Sequence, residues 1–99
     1  MLFTIMGYDV ENSLERRMKV RSEHLKRLQK LNEEGRLVLA GPHPHPDNTE
    51  ESKQYTGSLI VAEFETMEAA QAWAKADPYI DAGVYAKVDI KPFIKALPK

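Results

Sequence analysis

The order of the predicted secondary-structure segments is the feature that most constrains how this chain can fold. Alternating runs of β-forming and helix-forming residues give the order βαββαβ. The predicted strands are "LFTIMGY", "RLVLAG", "GSLIVAEFE" and "GVYAKVDIK", and the predicted helices cover residues 12–34 and 67–76. This order predicts an α+β, ferredoxin-like fold, in which a four-stranded antiparallel sheet carries two helices on one face. With 99 residues, we expect one domain over residues 1–99.

Capping and breaking residues set the expected bounds of the two helices. Asn12 and Ser13 are both good N-caps for the first helix, and Asn12 with Glu15 resembles a capping pair. Gly35 can end this helix in a left-handed conformation. Thr66 can cap the second helix, which Pro78 prevents from continuing much beyond Ala76.

Two further segments carry expectations about the sheet. The prolines at alternate positions of "PHPHP" predict a loop over residues 42–56. In the last strand Val84, Ala86, Val88 and Ile90 alternate with Tyr85, Lys87, Asp89 and Lys91, so the two sets are expected to face opposite sides of the sheet.

The third predicted strand is apolar on both of its faces. Leu59 and Val61 alternate with Ile60, Ala62 and Phe64. Since both helices are expected on one face of the sheet, a second copy of the chain is expected to cover the other. The sequence therefore predicts a homodimer.

Composition excludes several classes of function. The 14 basic and 15 acidic residues give a net charge of −1, which provides no attraction for nucleic acid or an anionic membrane. The absence of cysteine excludes disulfides, thiolate metal sites and cysteine nucleophiles. The first residues show neither a signal peptide nor a membrane span, so a cytoplasmic protein is expected.

A polar seam interrupts the apolar arc of the first helix. Arg17, Arg21 and His24 have the spacing i, i+4, i+7 and fall on the side expected to face the sheet. The arc itself consists of Leu14, Met18, Val20, Leu25, Leu28 and Leu31. Buried guanidinium groups need counter-charge or water, which favours a polar pocket with the arginines towards its mouth. The alternative is that His24 is a hydrogen-bonded core residue and that the arginines extend past the edge of the core.

Asp77, in "KADPYIDAGVY", is the candidate partner of His24. Asp77 ends the second predicted helix, so its carboxylate would lie at the negative end of that helix dipole. A carboxylate kept at this unfavourable position suggests a role in orienting an imidazole and fixing its tautomer. The alternative is that Asp77 and Pro78 simply open a turn.

A separate cluster with two histidines lies in the proline-rich segment. His43, His45 and Asp47 form an H-x-H-x-D pattern that is chemically able to hold Zn²⁺ or Ni²⁺. Because such segments are usually solvated, we expect neither a metal site nor a cofactor here.

The runs "SLERRMKVRSEHLKRL", "EGRLVLAGP", "TGSLIVAEFETMEAAQAWAKADPYIDAGVY" and "VDIKPF" together resemble the YciI-like (YCII-related) family. The resemblance covers nearly the whole chain. It implies a ferredoxin-like subunit that pairs into a dimeric α+β barrel, related in fold to muconolactone isomerases and small barrel monooxygenases. It also implies a site centred on a histidine and an aspartate.

Residue by residue, the resemblance assigns the histidine to His24 and the aspartate to Asp77. It assigns Arg17 and Arg21 to the preceding arginines, and Gly41–Pro42 and Gly57–Ser58 to strand ends beside the cleft. The expected function is cofactor-free acid–base chemistry, of isomerase or lyase type, on a small anionic metabolite, with Ser58 as a hydrogen-bonding wall residue. The alternative is a non-catalytic protein that binds a small ligand or supports a partner enzyme.

Overall fold

The computed structural model describes residues 1–99, which form one antiparallel sheet and three helices. The elements are β1 (Leu2–Asp9), α1 (Leu14–Glu33), β2 (Leu37–Pro44), β3 (Tyr55–Glu63), α2 (Met67–Lys75), α3 (Pro78–Asp81) and β4 (Tyr85–Phe93). The strand order is β2-β3-β1-β4, with every neighbouring pair antiparallel. The predicted ferredoxin-like α+β fold is confirmed, and α3 is added between α2 and β4.

The hydrophobic core lies between the sheet and the two longer helices. Phe3 and Ile5 of β1 share one face of the sheet with Ile60 and Ala62 of β3, because these residues are opposite one another in the ladder. The remaining core residues are Phe64 after β3, Leu28 and Leu31 of α1, and Ala70 and Ala74 of α2. The other face of the sheet also bears apolar side chains, including Leu39, which is 49% exposed, and Phe93, which is 39% exposed.

Strand β2 extends further into the proline-rich segment than the sequence predicted. Pro42 pairs with Ser58, His43 with Gly57 and Pro44 with Tyr55, so the connecting segment is residues 45–54. The predicted loop over residues 42–56 is therefore wrong at both of its ends. The physical reason is that β2 is an edge strand, where a proline that lacks an N–H can leave one side of the strand unpaired.

Helix α1 contacts the sheet through a narrower stripe than the predicted apolar arc. Its buried residues are Arg17, His24, Leu28 and Leu31. Met18 is 62% exposed and Leu25 is 40% exposed. Ser13 is the N-cap residue of α1, but its Oγ donates a hydrogen bond to Asp9 Oδ2 instead of accepting one from the helix, and the predicted pair of Asn12 and Glu15 does not form. No helix in the structure is both long enough and apolar enough to cross a membrane.

The predicted helix ends elsewhere are confirmed. Thr66 Oγ1 accepts a hydrogen bond from the backbone N–H of Ala69, 3.0 Å away, and so caps α2. Gly35 follows α1 with a φ of +73°, a conformation that glycine adopts at little cost.

A β-bulge near the start of β4 changes the predicted direction of Tyr85. The ladder with β1 pairs Tyr8 with Lys87 but Asp9 with Tyr85, so Ala86 is an extra residue. Gly7 lies on the helix-bearing face, and a Cβ built on it would approach the Tyr85 ring to 2.5 Å. Tyr85 therefore lies on the helix side of the sheet, whereas strict alternation had placed it on the other side.

Candidate active site

A cavity of about 230 Å³ lies between α1, α3 and the strands β2 and β3. Six of the residues predicted to form a site line this cavity: Arg17, Arg21, His24, Gly41, Pro42 and Ser58. Its apolar lining comes from Leu25, Leu28, Ala40, Ile60 and, with its ring, Tyr79. Larger, more open depressions occur on the surface, including one of about 710 Å³ beside Asp9 and Tyr55, but none of them includes His24.

His24 and Asp77 are in direct contact, as predicted for a histidine with a carboxylate partner. His24 Nδ1 lies 2.9 Å from Asp77 Oδ1 and 3.0 Å from Oδ2, and both side chains are buried. Because an ionised carboxylate only accepts hydrogen bonds, the contact places the ring proton on Nδ1. The opposite nitrogen, Nε2, has no hydrogen-bond partner in the chain and is not fully buried. The imidazole ring lines the cavity.

Asp77 also stabilises the turn that follows α2. It is the N-cap of α3, and its Oδ1 accepts a hydrogen bond of 2.9 Å from the backbone N–H of Tyr79. We predicted that the helix dipole would disfavour a carboxylate here. That prediction is wrong, because Asp77 is the N-cap of α3 and a carboxylate is favoured at the N-terminus of a helix.

Arg17 lies deep in the site and its charge is balanced within the chain. Arg17 Nε and Nη2 donate to Asp9 Oδ2 and Oδ1 at 2.6 and 2.9 Å. Nη2 also donates to the Gly57 carbonyl at 2.8 Å and to Ser58 Oγ at 2.9 Å. Burial acts to lower the pKa of Arg17, but the hydrogen bond and charge of Asp9 outweigh it and raise that pKa. We expected both arginines near the mouth of the pocket, whereas Arg17 is at its base.

Arg21 occupies the position predicted for both arginines. Its side chain is exposed, lines the cavity and makes no hydrogen bond or ion pair within the chain. It therefore presents a cation at the entrance whose donors are available to a ligand.

Ser58, Gly41 and Pro42 form the strand wall of the cavity. Pro42 of β2 is opposite Ser58 of β3, and Gly41 is opposite Leu59. Ser58 is 4% exposed, its oxygen accepts the bond from Arg17, and its hydroxyl also lies within hydrogen-bonding reach of Tyr85. These residues lie within their strands and not at the strand ends.

Three residues of the site were missed from the sequence: Asp9, Tyr79 and Tyr85. Asp9 follows Phe3, Ile5 and Gly7 on the helix side of β1, and that alternation is a signal that could have placed it beside α1. Tyr85 gave no such signal, because the bulge at Ala86 reverses its expected side.

Aromatic contacts connect these missed residues to the predicted ones. The Tyr79 ring is stacked on His24, with 3.8 Å between centroids and 5° between planes, and Tyr85 meets Tyr79 edge-on at 5.5 Å. The Arg17 guanidinium lies 5.1 Å from the centroids of the Tyr55 and Tyr79 rings. Burial raises the pKa of both Tyr79 and Tyr85, so both hydroxyls stay protonated well above neutral pH.

The side chains of His43, His45 and Asp47 do not converge on one point. His43 lies in β2 opposite Gly57, while His45 Nδ1 accepts a hydrogen bond of 3.1 Å from the backbone N–H of Asp47. The structure brings together no group of three or more histidine and acidic side chains able to hold a metal ion.

A similar fold occurs in an enzyme of known structure. The 5-chloro-2-hydroxyhydroquinone dehydrochlorinase of Burkholderia phenoliruptrix AC1100, solved in complex with 2,5-dihydroxybenzoquinone, superposes with a TM-score of 0.83. The two sequences are 26% identical, and the alignment covers 95% of this chain and 94% of the dehydrochlorinase.

Sequence comparison gives nearer relatives. The proteins called YciI from Escherichia coli O6:H1 and Shigella flexneri are each 54% identical over 96 residues, which is 96% of this chain and 98% of theirs. An uncharacterized protein of Haemophilus influenzae is 48% identical over the same share of both chains. The family model for the YCII-related domain matches residues 1–94. The predicted resemblance is thus confirmed, and the chain belongs to the YCII-related family.

Proposed function

We propose that this protein is a small cytoplasmic enzyme that moves a proton within a small anionic metabolite, by isomerisation or elimination. The observation that carries the proposal is the arrangement of His24, whose ring lines the cavity and whose Nδ1 is held by Asp77 while Nε2 has no hydrogen-bond partner in the chain. A histidine with one nitrogen fixed by a carboxylate and the other free is poised to take up and return a proton. Asp77 would stabilise the positive charge that forms on the ring.

The lining of the cavity supports a particular class of substrate. Apolar side chains from α1 and β3 cover one part, whereas Arg21, His24 and Ser58 supply polar atoms to the other. A volume of about 230 Å³ lies below the usual range for drug-sized ligands, about 300–1,000 Å³. A single ring with an anionic or hydroxyl group at one edge satisfies both conditions. The dehydrochlorinase of similar fold was solved with 2,5-dihydroxybenzoquinone, a molecule of that kind.

The two arginines have different roles in this proposal. Arg21 has donors available and would bind the anionic group of the substrate. Arg17 is already paired with Asp9, so it would act by holding Ser58 and by stabilising negative charge that develops beside it. Ser58 would donate its proton to a substrate oxygen.

The reaction step balances without a further reactant. His24 Nε2 removes a proton from a carbon next to a carbonyl, and the C–H electron pair forms a C=C bond while the carbonyl π pair moves onto its oxygen to give an enolate. In an elimination the carbonyl re-forms as the leaving group departs from the neighbouring carbon with its own bonding pair, and the protonated His24 gives its proton to that group or to solvent. In an isomerisation the protonated His24 returns the proton to a different carbon, so the imidazole is regenerated.

Conversion of a ligand by the wild-type protein tests this proposal. A library of small anionic metabolites is screened by thermal shift, and each ligand found is incubated with the protein and analysed by mass spectrometry and NMR. We expect conversion by the wild type, loss of at least about a hundredfold in the His24→Gln variant, and ligand binding retained. His45→Gln is the matched control, because His45 does not line this cavity.

Two results would count against acid–base catalysis at His24. The first is turnover that survives in His24→Gln. The second is tight binding without conversion by the wild type, which would instead favour a non-catalytic ligand-binding or accessory protein.

We also propose that the protein is a homodimer. The support is the apolar sheet face away from the helices, where Leu39 of β2 and Phe93 of β4 are substantially exposed. Pairing two such faces would remove this apolar surface from water.

A further inference from the structure

The imidazole of His24 and the phenol ring of Tyr79 lie face to face. Their centroids are 3.8 Å apart and their planes differ by only 5°. Both residues are buried, with exposed fractions of 6% for His24 and 2% for Tyr79. At this separation the rings are in van der Waals contact, so neither plane can tilt far without the other ring moving.

The contact with Asp77 alone does not fix the orientation of His24. Both carboxylate oxygens approach the same nitrogen, Nδ1, so the contact leaves the ring free to swing about the line from Nδ1 to the carboxylate. Such a swing displaces Nε2, which lies on the opposite side of the ring. The flat face of Tyr79 blocks this movement on one side.

Tyr79 is itself held firmly. Its backbone N–H donates to Asp77 Oδ1, so the carboxylate and the stacked ring belong to one short capped turn. Tyr85 contacts the Tyr79 ring edge-on, and the guanidinium of Arg17 lies 5.1 Å from its centroid. The Tyr79 ring is therefore fixed independently of His24.

We propose that Tyr79 is a positioning residue: its ring fixes the plane of the His24 imidazole so that Nε2 stays directed into the cavity. This inference rests on the proposed function, in which Nε2 exchanges a proton with the ligand. The Tyr79 ring would also stabilise the positive charge that forms on His24 when Nε2 takes up a proton, because the face of an aromatic ring attracts a cation. The role belongs to the ring and not to the hydroxyl.

Exchange of the His24 Nδ1 proton with solvent measures how often the ring leaves its position. The experiment uses the ligand-free protein labelled with ¹⁵N, and follows the Nδ1–H resonance of His24 by NMR. The Nδ1 proton, while it is hydrogen-bonded to Asp77, is protected, so it exchanges only when the ring swings away. We expect exchange roughly two- to tenfold faster in Tyr79→Leu than in the wild type, because leucine can fill the space but lacks the stabilisation that stacked rings add to burial.

Two further variants identify the cause of any acceleration. Tyr79→Phe keeps the ring and removes the hydroxyl, so its exchange rate should match the wild type. Phe64→Leu removes a buried core ring that contacts Phe3 and Trp73 but not His24, so it reports general loosening and should also match. If Tyr79→Leu does not fold, Tyr79→Met, which fills more of the space, replaces it.

Each remaining outcome overturns the inference. Wild-type exchange in Tyr79→Leu would show that the stack does not hold His24. Equal acceleration in Tyr79→Phe would assign the effect to the hydroxyl, and equal acceleration in Phe64→Leu would assign it to general loosening. Because no substrate is present, these outcomes do not depend on whether the chain is an enzyme. For a substrate identified by the screen, Tyr79→Leu should lower kcat more than it raises KM.

Discussion

The ion pair between Arg17 and Asp9 is buried almost completely, with side-chain exposures of 6% and 1%. If one partner is removed, the other charge stays buried without a counter-charge or water. Removing one partner therefore lowers the free energy of unfolding by far more than an exposed ion pair contributes to it. The two acceptors on β3, Gly57 O and Ser58 Oγ, lose their donor at the same time.

We predict that Arg17→Met lowers the free energy of unfolding by about 3–5 kcal/mol, measured by urea denaturation. The double variant Arg17→Met with Asp9→Leu should recover a large part of this loss, because no unpaired charge remains. Arg36→Met is the control, since Arg36 pairs with Glu34 at the surface and should cost no more than about 1 kcal/mol. Equal losses in Arg17→Met and Arg36→Met would contradict the prediction.

Stability at high pH should depend on Tyr85. Burial raises its pKa above the ordinary tyrosine value of about 10, so above that pH the folded protein keeps a proton that the unfolded chain has lost. The unfolded state then binds fewer protons, and stability falls as pH rises, by up to about 1.4 kcal/mol per pH unit for one tyrosine.

Urea denaturation at several pH values between 9 and 11 measures this dependence. We expect the decline above pH ~10 to be shallower in Tyr85→Phe than in the wild type. Tyr8→Phe, at a tyrosine that is 39% exposed, serves as the comparison and should leave the slope unchanged. Parallel slopes in the wild type and Tyr85→Phe would disprove the argument.

Sequence reasoning identified part of the site at the residue scale. The helical spacing of Arg17, Arg21 and His24 predicted that they share one side of α1, and all three line the cavity. The contact of His24 with Asp77 was expected, although for a partly wrong reason, because a dipole argument needs to know where the next helix begins. Tyr79 escaped notice because nothing in a sequence states that two rings will lie parallel.

At the scale of elements, the strands and helices follow from periodicity and capping residues, but bulges do not. One extra residue in β4 brings Tyr85 to the helix side, and the only trace of this on the other strand is a glycine, Gly7. The absence of a side chain at Gly7 leaves room for the Tyr85 ring. Close approach, and not an unusual φ, explains the glycine at this position.

We predict that Gly7→Ala destabilises the fold by about 1–3 kcal/mol, since its Cβ would approach the Tyr85 ring to 2.5 Å. In the background of Tyr85→Ala the same substitution should cost much less, so a double-mutant cycle by urea denaturation should show strong coupling. Gly41→Ala provides a control, because no atom lies within 4 Å of a Cβ built there. Additive effects of Gly7→Ala and Tyr85→Ala would refute the explanation.

At the scale of the whole molecule, the helices cover only one face of the sheet. The opposite face mixes apolar residues with the charged side chains of Lys87 and Asp89 on β4. The proposed dimer would leave those charges at its margin and bury the apolar residues of this face, which include Leu39 of β2 and Phe93 of β4.

Sedimentation should therefore give a particle of twice the 11.3 kDa chain mass at micromolar concentration. The variant Leu39→Glu, at an edge-strand residue that is 49% exposed, should shift the protein to monomer without unfolding it. Met18→Glu, at a residue of α1 that is 62% exposed, should remain dimeric. A monomeric wild type would rule out the proposed pairing.

The bulge at Ala86 makes one position in the sheet unusually tolerant of a change in chain length. Removing one residue from a regular strand moves every following side chain to the opposite face. Ala86 is exposed and has no partner on β1, so its deletion would pair Tyr85 and Lys87 with Asp9 and Tyr8 in a regular ladder. Every side chain of β4 would keep its present face. Relatives of this chain that are one residue shorter at this point can therefore keep an aromatic residue in the place that Tyr85 occupies beside Tyr79.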